Sequence, residues 1–218
     1  MSNIKGELFV NLKLNVLSLG PLGTNCYIIE KENTALIIDP GGDYDHLKAH
    51  IEKSELDVEA ILLTHAHFDH IGAVEPVRKD YNVELYMHEL EKDWLTDPQL
   101  NGSGRYMMDP VSTLIPPDHL LNEGQHTVGS VQFKVLHTPG HSPGSISFYF
   151  EDSGILIAGD TLFHRSIGRT DLPFGNHESL IKSIQEKIFT LPEDTIVFPG
   201  HGPETTVKEE KELNPFFN

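Results

Sequence analysis

The spacing of apolar residues alternates between two patterns along the chain, one typical of β-strands and one typical of helices. Strands are predicted over Leu12–Leu19, Cys26–Glu30, Ala35–Ile38, Ala60–Leu63, Val83–Met87, Gln132–Leu136, Ser145–Phe150, Ile155–Ala158 and Thr195–Phe198. Helices are predicted over Tyr44–Glu55, His70–Tyr81, Asn176–Phe189 and Glu204–Leu213. Hairpins occur in both halves, so the order predicts two mixed sheets packed face to face, with helices outside.

The middle of the chain lacks this regularity. Asp97–Asp118 contains six Gly and Pro residues and little apolar periodicity. A stretch of this length inside a compact domain is often a functional loop or lid. We therefore predict a loop here that is more mobile than the sheets and lies close to the functional rim.

Charge limits the classes of partner. The 218 residues include 16 Lys and Arg against 33 Asp and Glu, a formal net charge of −17. Nucleic-acid binding needs a basic footprint, and anionic membranes attract basic segments. The composition therefore argues against nucleic acid and against a membrane surface. The length suits a single domain over residues 1–218, and the oligomeric state is left open.

Cysteine usage and the first residues indicate the compartment. Cys26 is the one cysteine, so no intramolecular disulfide forms and a reducing cytoplasm is expected. Met1–Val10 contains Lys5 and Glu7 and lacks a continuous apolar core, which does not fit a signal peptide. Apolar runs also stay short of the roughly 20 residues that a membrane span needs.

Histidine is unusually abundant, with 13 residues, and its densest cluster follows the strand Ala60–Leu63 directly. The pattern there is H-x-H-x-D-H. His65 and His67, two apart in extended chain, point the same way. Asp69 and His70, at a helix start, can face a second point nearby. Neutral imidazoles suit a borderline-soft divalent ion.

Three further residues of the same chemistry follow predicted strands. His141 lies in a turn after Pro139-Gly140, Asp160 follows the strand Ile155–Ala158, and His201 follows the last strand. We expect the loops at these strand ends to converge on one rim. With the H-x-H-x-D-H cluster they provide five His and two Asp, which are enough donors for two metal ions.

These motifs resemble those of the metallo-β-lactamase superfamily, and within it the glyoxalase II (hydroxyacylglutathione hydrolase) branch. The matching stretches are Asp39-Pro40-Gly41, Thr64–His70, His137–His141, Gly159–Phe163 and Pro199–Gly202. The resemblance spans most of the chain. It implies an α+β fold, the four-layer αββα sandwich, with the metal site on one rim between the two sheets.

The resemblance also implies how the ligands divide. The first metal would be held by His65, His67 and His141, the second by Asp69, His70 and His201, and Asp160 would bridge both. Zinc is the expected metal, with iron and manganese as alternatives, because N and O donors without thiolate select weakly. Such a site makes hydroxide available at neutral pH, and Asp69 is a candidate to accept its proton.

The implied reaction is hydrolysis of a small thioester of the hydroxyacyl-thiol type. Arg165 and Arg169 follow Asp160 closely and are candidates to bind a substrate carboxylate; the alternative is that Arg169 pairs with a structural acid such as Asp171. Asp39, at a strand end, is a candidate to orient an imidazole, or else a turn residue.

Other activities fit the same fold. A mononuclear-iron persulfide dioxygenase, with two His and one Asp as ligands, shares these motifs, and a lactonase is a further alternative. Class B β-lactamases commonly place a Cys in the second site, whereas Asp160 stands at the bridging point and Cys26 lies outside every motif. β-Lactam hydrolysis is therefore not expected as the main activity.

The carrier thiol is a separate question. Longer glyoxalase II enzymes carry a C-terminal basic region for glutathione, whereas the printed sequence ends at Asn218, one predicted helix after His201. This departure weakens the expectation of tight glutathione recognition and leaves a shorter thiol conjugate or a broad substrate range as alternatives.

Overall fold

The computed structural model describes residues 5–9, 11–112 and 115–218. Parts of Met1–Val10 and of the predicted loop, namely residues 1–4, 10, 113 and 114, lie outside the described residues. The chain divides into two compact units, one of residues 1–121 and 127–131 and one of residues 122–126 and 132–218. The single domain stays a prediction, and each unit is described by itself.

The first unit is built on a mixed sheet whose strands follow chain order. They are β1 (Lys5–Phe9), β2 (Leu12–Leu19), β3 (Thr24–Lys31), β4 (Thr34–Ile38), β5 (Asp57–Leu62), β6 (Glu84–His88) and β7 (His119–Leu121). β1 to β4 pair antiparallel, and β4 to β7 pair parallel. The predicted strands of this half are confirmed, whereas β1 and β7 were not predicted, because β1 has no clear apolar run and β7 has only three residues.

The helices of this unit are α1 (Tyr44–Lys53), α2 (Phe68–Ile71), α3 (Val74–Tyr81) and the short α4 (Ser103–Tyr106). Apolar side chains of α1 and α3, including Leu47, Ile51 and Val77, are buried against sheet residues such as Ile37 and Ile61. Burial of one apolar stripe per helix is the main contribution to such packing.

The prediction of one helix over His70–Tyr81 is wrong, because the helix is interrupted at Gly72 and Ala73. The Ala73 N–H donates to the carbonyl of Pro40 at 2.8 Å instead of to a carbonyl one turn earlier. A Cβ on Gly72 would lie 2.4 Å from the Gly41 oxygen, and one on Gly41 would lie 2.0 Å from the Asp69 oxygen. The Asp39-Pro40-Gly41 turn therefore packs backbone against backbone on α2.

The irregular middle stretch is not wholly a loop. A 3₁₀ helix occupies Glu89–Leu95 before it, and α4 lies within it. Asn101 is buried and ties the stretch together, since its Nδ2 donates to the carbonyls of Trp94 and Val111 at 3.0 and 2.9 Å. The Phe68 N–H donates to the Asn101 carbonyl at 3.0 Å. The stretch thus lies beside the H-x-H-x-D-H segment, as predicted, and its greater mobility stays a prediction.

The second unit is built on another mixed sheet, in the order β15-β14-β11-β10-β9-β8. Its strands are β8 (Gly124–Val128), β9 (Val131–His137), β10 (Ile146–Phe150), β11 (Ile155–Gly159), β14 (Ile196–Pro199) and β15 (Thr205–Thr206), and β12 (Leu162–Phe163) and β13 (Ser166–Ile167) form a separate hairpin. β11 and β14 pair parallel. β8, β12, β13 and β15 were not predicted, because they are short or polar.

The helices of the second unit cover a core of their own. α5 spans His177–Ser183 and continues as a π-helical segment, Ile184–Ile188, while α6 spans Val207–Leu213. Leu180, Ile184 and Ile188 are fully buried in that core. The predicted closing helix begins three residues late, because residues 205–206 extend the sheet and Thr206 caps α6 through its side chain.

None of the helices in the described ranges has the length and apolar character of a membrane span.

Candidate metal centre

In the first unit, the H-x-H-x-D-H segment leaves the carboxyl end of β5 and enters α2. The side chains of His65, His67, Asp69 and His70 are all buried there. The ring centroids of His65 and His67 lie 4.9 Å apart, and those of His65 and His70 lie 4.1 Å apart. The structure therefore brings together the four donors that the sequence pattern singled out in this half.

A hydrogen-bond chain sets the tautomers of two of these imidazoles. The Asp39 carboxylate accepts from the Thr64 N–H at 2.8 Å, from the Thr64 hydroxyl at 2.6 Å, and from His70 Nδ1 at 2.9 Å. Because the Thr64 hydroxyl gives its proton to Asp39, it accepts from His65 Nδ1 at 3.0 Å. Both rings then carry the proton on Nδ1, which makes each Nε2 an electron-pair donor.

Asp39, His65 and His70 also form a group whose nearest donor atoms lie within 4.8 Å of one another. Asp39 is not the natural ligand in that group, because its oxygens already accept three protein hydrogens. Its φ is +52°, an uncommon left-handed conformation that turns the carboxylate toward Thr64 and His70. The Asp39 carboxylate thus contacts an imidazole, as its candidate orienting role requires.

Asp69 lies next to the outer nitrogen of His70. Its Oδ2 accepts from the Thr24 hydroxyl at 3.0 Å and lies 3.5 Å from His70 Nε2. Two donors that share a tetrahedral ion at about 2.0–2.1 Å are roughly 3.4 Å apart. The pair therefore has the spacing of two ligands of one metal ion.

Sequence reasoning missed several residues that hold this segment. Glu91, fully buried in the 3₁₀ helix, accepts from the Ala66 N–H at 2.7 Å, and the Trp94 ring lies 5.5 Å from that of His67. Thr24, from β3, holds Asp69. These residues carry no motif of their own, and the burial that marks them is visible only in the structure.

Cys26 takes no part as a ligand. It lies in the apolar core of the first unit. Burial, and to a smaller extent the charge of Asp39, raises the pKa of its thiol well above the usual value. A neutral thiol is a poor metal ligand, since the thiolate is the ligating form.

In the second unit, Asp160 lies between two imidazoles. Its Oδ2 is 3.6 Å from Nε2 of His141 and 3.7 Å from Nε2 of His201. These distances exceed those of hydrogen bonds and match the spacing of donors around shared metal ions. All three residues follow strands of this sheet at the carboxyl end, as the sequence predicted.

Backbone groups position His141 and Asp160. His141 Nδ1 donates to the Arg169 carbonyl at 2.8 Å, which leaves Nε2 as the nitrogen that carries the electron pair. A Cβ on Gly168 would lie 1.8 Å from the Asp160 carbonyl oxygen. Gly140 precedes His141 and has φ +140°. A side chain at position 140 would clash with the backbone of Leu180.

The structure pairs both candidate substrate arginines with acids. Arg169 makes a two-point ion pair with Asp171 through Nε and Nη2, at 2.8 and 2.7 Å, and holds the pKa of that carboxyl down at about 2. Arg165 Nη2 donates to the Glu209 carboxylate at 2.6 Å, and the backbone N–H of Arg165 donates to the Glu210 carboxylate at 3.0 Å. The alternative of a structural ion pair is therefore observed for Arg169.

The donor set fits divalent metal ions. In His65, His70 and His141 a hydrogen bond holds Nδ1, so that Nε2 is the electron-pair donor of each ring. The distances of 3.5–3.7 Å between Nε2 atoms and carboxylate oxygens suit shared ions. Imidazole and carboxylate without thiolate are compatible with zinc, iron or manganese.

The family model described as the metallo-beta-lactamase superfamily matches residues 19–201, a range that includes all seven predicted ligands. The probable metallo-hydrolase YqgX of Bacillus subtilis (strain 168) is 47% identical over 208 residues, which cover 95% of this chain and 98% of YqgX. The hydroxyacylglutathione hydrolase GloC of Haemophilus influenzae is 34% identical over 209 residues, which cover 95% of this chain and 99% of GloC.

Solved structures are also similar. The BLEG-1 B3 metallo-beta-lactamase superposes with a TM-score of 0.92 and 50% identity, over 94% of this chain and 99% of that chain. TTHA1623, in a di-iron-bound form, gives a TM-score of 0.83 and 38% identity, over 92% and 98%. This similarity confirms the fold class predicted from the sequence.

Proposed function

The chain belongs to the metallo-beta-lactamase superfamily, and we propose that this metallo-hydrolase acts on small thioesters of the hydroxyacyl-thiol type. The similarity to GloC, named as a hydroxyacylglutathione hydrolase, supports that substrate class and the glyoxalase II-like branch. The proposed reaction consumes one water: the C–S bond breaks, a C–O bond forms, and the products are a carboxylic acid and a thiol.

The proposed site holds two metal ions. The ligands are His65, His67 and His141 for one ion, Asp69, His70 and His201 for the other, and Asp160 for both. The observation that carries this proposal is the position of Asp160, whose single Oδ2 faces the Nε2 atoms of His141 and His201 at nearly equal distance. These two histidines belong to different ions in the proposal, so the carboxylate between them is suited to bridge.

Bound divalent ions would lower the pKa of water to about 7 and polarise a substrate carbonyl. The chain's own residues prepare the site for that chemistry. Asp39 and Thr64 fix the tautomers of His65 and His70, and the Arg169 carbonyl fixes that of His141. Asp69, held by the Thr24 hydroxyl, is the proposed proton acceptor. A thiol of pKa near 8.5 leaves as thiolate without an acid, so no further side chain is required.

Arg169 and Arg165 stay the proposed contacts of a substrate carboxylate. The Arg169 side chain is 57% exposed, and its fork already binds Asp171. A substrate carboxylate would therefore replace Asp171 on the guanidinium, an exchange of one carboxylate for another. Arg165 is bound to Glu209 and is less exposed, at 32%.

The test is a parallel assay on one metal-analysed sample. S-lactoylglutathione, an acyl-lactone, nitrocefin and glutathione persulfide are offered separately, with oxygen uptake recorded for the persulfide. We expect thioester turnover to lead by at least about tenfold in kcat/KM, roughly 1.4 kcal/mol of transition-state preference. Greater oxygen uptake on persulfide, or a faster lactone reaction, would overturn the proposal in favour of the dioxygenase or the lactonase.

β-Lactam hydrolysis is the second candidate. The observation that favours it is the 50% identity to BLEG-1, which is named a B3 metallo-beta-lactamase. The expectation that β-lactams are not the main substrates stays a prediction, and the nitrocefin arm of the assay tests it directly.

The metal is proposed to be zinc, with iron as the first alternative because TTHA1623 is described in a di-iron-bound form. Elemental analysis of protein purified without chelator is expected to give two equivalents per chain. A reproducible single equivalent that added metal does not raise would contradict the dinuclear site.

A further inference from the structure

One turn in the second unit holds a bulky residue where glycine is usual. Leu172-Pro173-Phe174-Gly175 closes with a hydrogen bond of 3.0 Å from the Gly175 N–H to the Leu172 carbonyl. Phe174 has φ +70°. A proline followed by a residue of positive φ is the pattern of a type II turn, whose third position is normally Gly or Asn.

The conformation of Phe174 is unfavourable, and the folded chain gains little burial from the ring. Positive φ brings the Cβ of an L-residue too close to its own backbone, and a bulky residue there is a genuine outlier. Phe174 is nevertheless 60% exposed. Phe174 is the one aromatic residue among the non-glycine residues of positive φ in the described ranges. Strain kept without burial is more typical of a functional position than of a packing position.

The turn is fastened next to a proposed metal ligand on both sides. Before it, the Arg169 carbonyl accepts from His141 Nδ1 at 2.8 Å. After it, the Asn176 N–H donates to the carbonyl of Gly140, the residue before His141, at 2.7 Å. Asn176 then caps α5 through its side chain. Phe174 therefore projects from a short segment whose two ends are tied to the Gly140-His141 turn.

We propose that Phe174 is a specificity-determining residue that packs against an apolar or aromatic group of the substrate bound at His141. This inference rests on the proposed thioester hydrolysis and adds a preference to it. An exposed aromatic ring beside a polar site gains free energy by covering apolar substrate surface. The apolar group can belong to the acyl part or to the thiol part, and the two sources are separated by experiment.

The test compares wild type with Phe174→Gly and Phe174→Tyr, using three thioesters. These are the acetyl and phenylacetyl thioesters of N-acetylcysteamine and the acetyl thioester of benzyl mercaptan. For Phe174→Gly we expect KM to rise about tenfold for at least one phenyl-bearing substrate, with kcat and the acetyl control within about twofold of wild type. The phenylacetyl thioester reports on the acyl part, and the benzyl mercaptan thioester reports on the thiol part. Phe174→Tyr should keep the KM of wild type, because it keeps an aromatic ring.

Thermal unfolding separates recognition from a structural role. Glycine relieves the positive φ, so Phe174→Gly should leave Tm at or above that of wild type. Glu55→Gly is the matched control, because exposed Glu55 has φ +51° in the first unit and takes no part in the site. A Tm loss for Phe174→Gly well beyond that of Glu55→Gly, or equal changes of KM for all three thioesters, would overturn the inference.

Failure of the proposed function is distinguishable from failure of this inference. If wild type hydrolyses neither S-lactoylglutathione nor these three thioesters, thioester hydrolysis is rejected. Whenever the three thioesters are not turned over, binding of the thioether S-(2-phenylethyl)-N-acetylcysteamine to metal-loaded protein decides on Phe174. We expect its Kd to rise about tenfold in Phe174→Gly. An unchanged Kd, or no binding to wild type, would reject the contact.

Discussion

The Asp39 carboxylate lies 2.9 Å from Nδ1 of His70, and both side chains are almost completely buried. The two residues are 31 positions apart, one after β4 and one in α2. The carboxylate also accepts two hydrogens from Thr64, so its oxygens are committed to protein donors. The Asp39 carboxylate therefore holds the His70 ring through its Nδ1 hydrogen, and we propose that this positions Nε2 for a metal.

Asp39→Asn is predicted to weaken metal binding. An amide nitrogen facing His70 would be a second donor, which favours the other tautomer and places a proton on Nε2. Loss of such an orienting partner typically costs 10–100-fold in metal affinity. Competition with a chelator at pH 7 measures this, and Asp152→Asn, at an exposed position, is the control. Equal affinities in the two variants would contradict the role of Asp39.

Asp160→Ala is predicted to lower metal content at both proposed positions, because the carboxylate is assigned to each ion. His70→Ala should remove mainly one equivalent. Elemental analysis after dialysis against metal-free buffer distinguishes the two results. A metal content and turnover near those of wild type in Asp160→Ala would show that the bridging assignment is wrong.

Glu210 is predicted to be a major stabilising residue of the second unit. Its buried carboxylate accepts from the Arg165 N–H, the Thr205 hydroxyl and Asn214 Nδ2. Glu210→Ala leaves these donors without that acceptor and should lower the free energy of unfolding by about 3 kcal/mol.

Glu209→Ala is the matched control for that variant. The ion pair of Glu209 with Arg165 is about one third exposed on each side, so its loss should cost less than about 1 kcal/mol. Urea unfolding measures both variants, and similar losses would contradict the difference in burial.

His50 is predicted to make stability depend on pH. Burial lowers its pKa below the usual 6.5, opposed by Glu30 and assisted by Lys13, His46 and Lys53. The unfolded chain therefore takes up a proton near pH 6.5, before the folded chain does. The contribution is present above pH 6.5 and is lost as pH falls toward the folded pKa.

His50→Gln should reduce that loss. Urea unfolding of both proteins at pH 7.5 and 5.5 gives the change in the free energy of unfolding for each. Subtracting one change from the other cancels the contribution of titrating groups that both proteins share. A loss of stability in the variant as large as that in wild type would exclude His50 as the source.

Local patterns predicted much of this protein, because they depend on residues close in the sequence. Strand β2 has the predicted bounds Leu12–Leu19, since its apolar run is bounded by turn residues. The donor chemistry of the H-x-H-x-D-H cluster, and its place after a buried strand, also follow from local sequence. Short or polar strands such as β12 and β15 were missed, because two residues carry no periodicity.

The tertiary structure decided which groups meet. The break at Gly72 depends on Pro40, the tautomer of His141 depends on the Arg169 carbonyl, and the pairing of Arg165 depends on Glu209, 44 positions away. No spacing rule encodes these partners, because hydrogen bonds and ion pairs need only proximity in space. The sequence by itself determined the types of donor atom and the strand ends that carry them. Folding alone determined their orientation, since buried polar groups must find partners wherever the packed backbone places them.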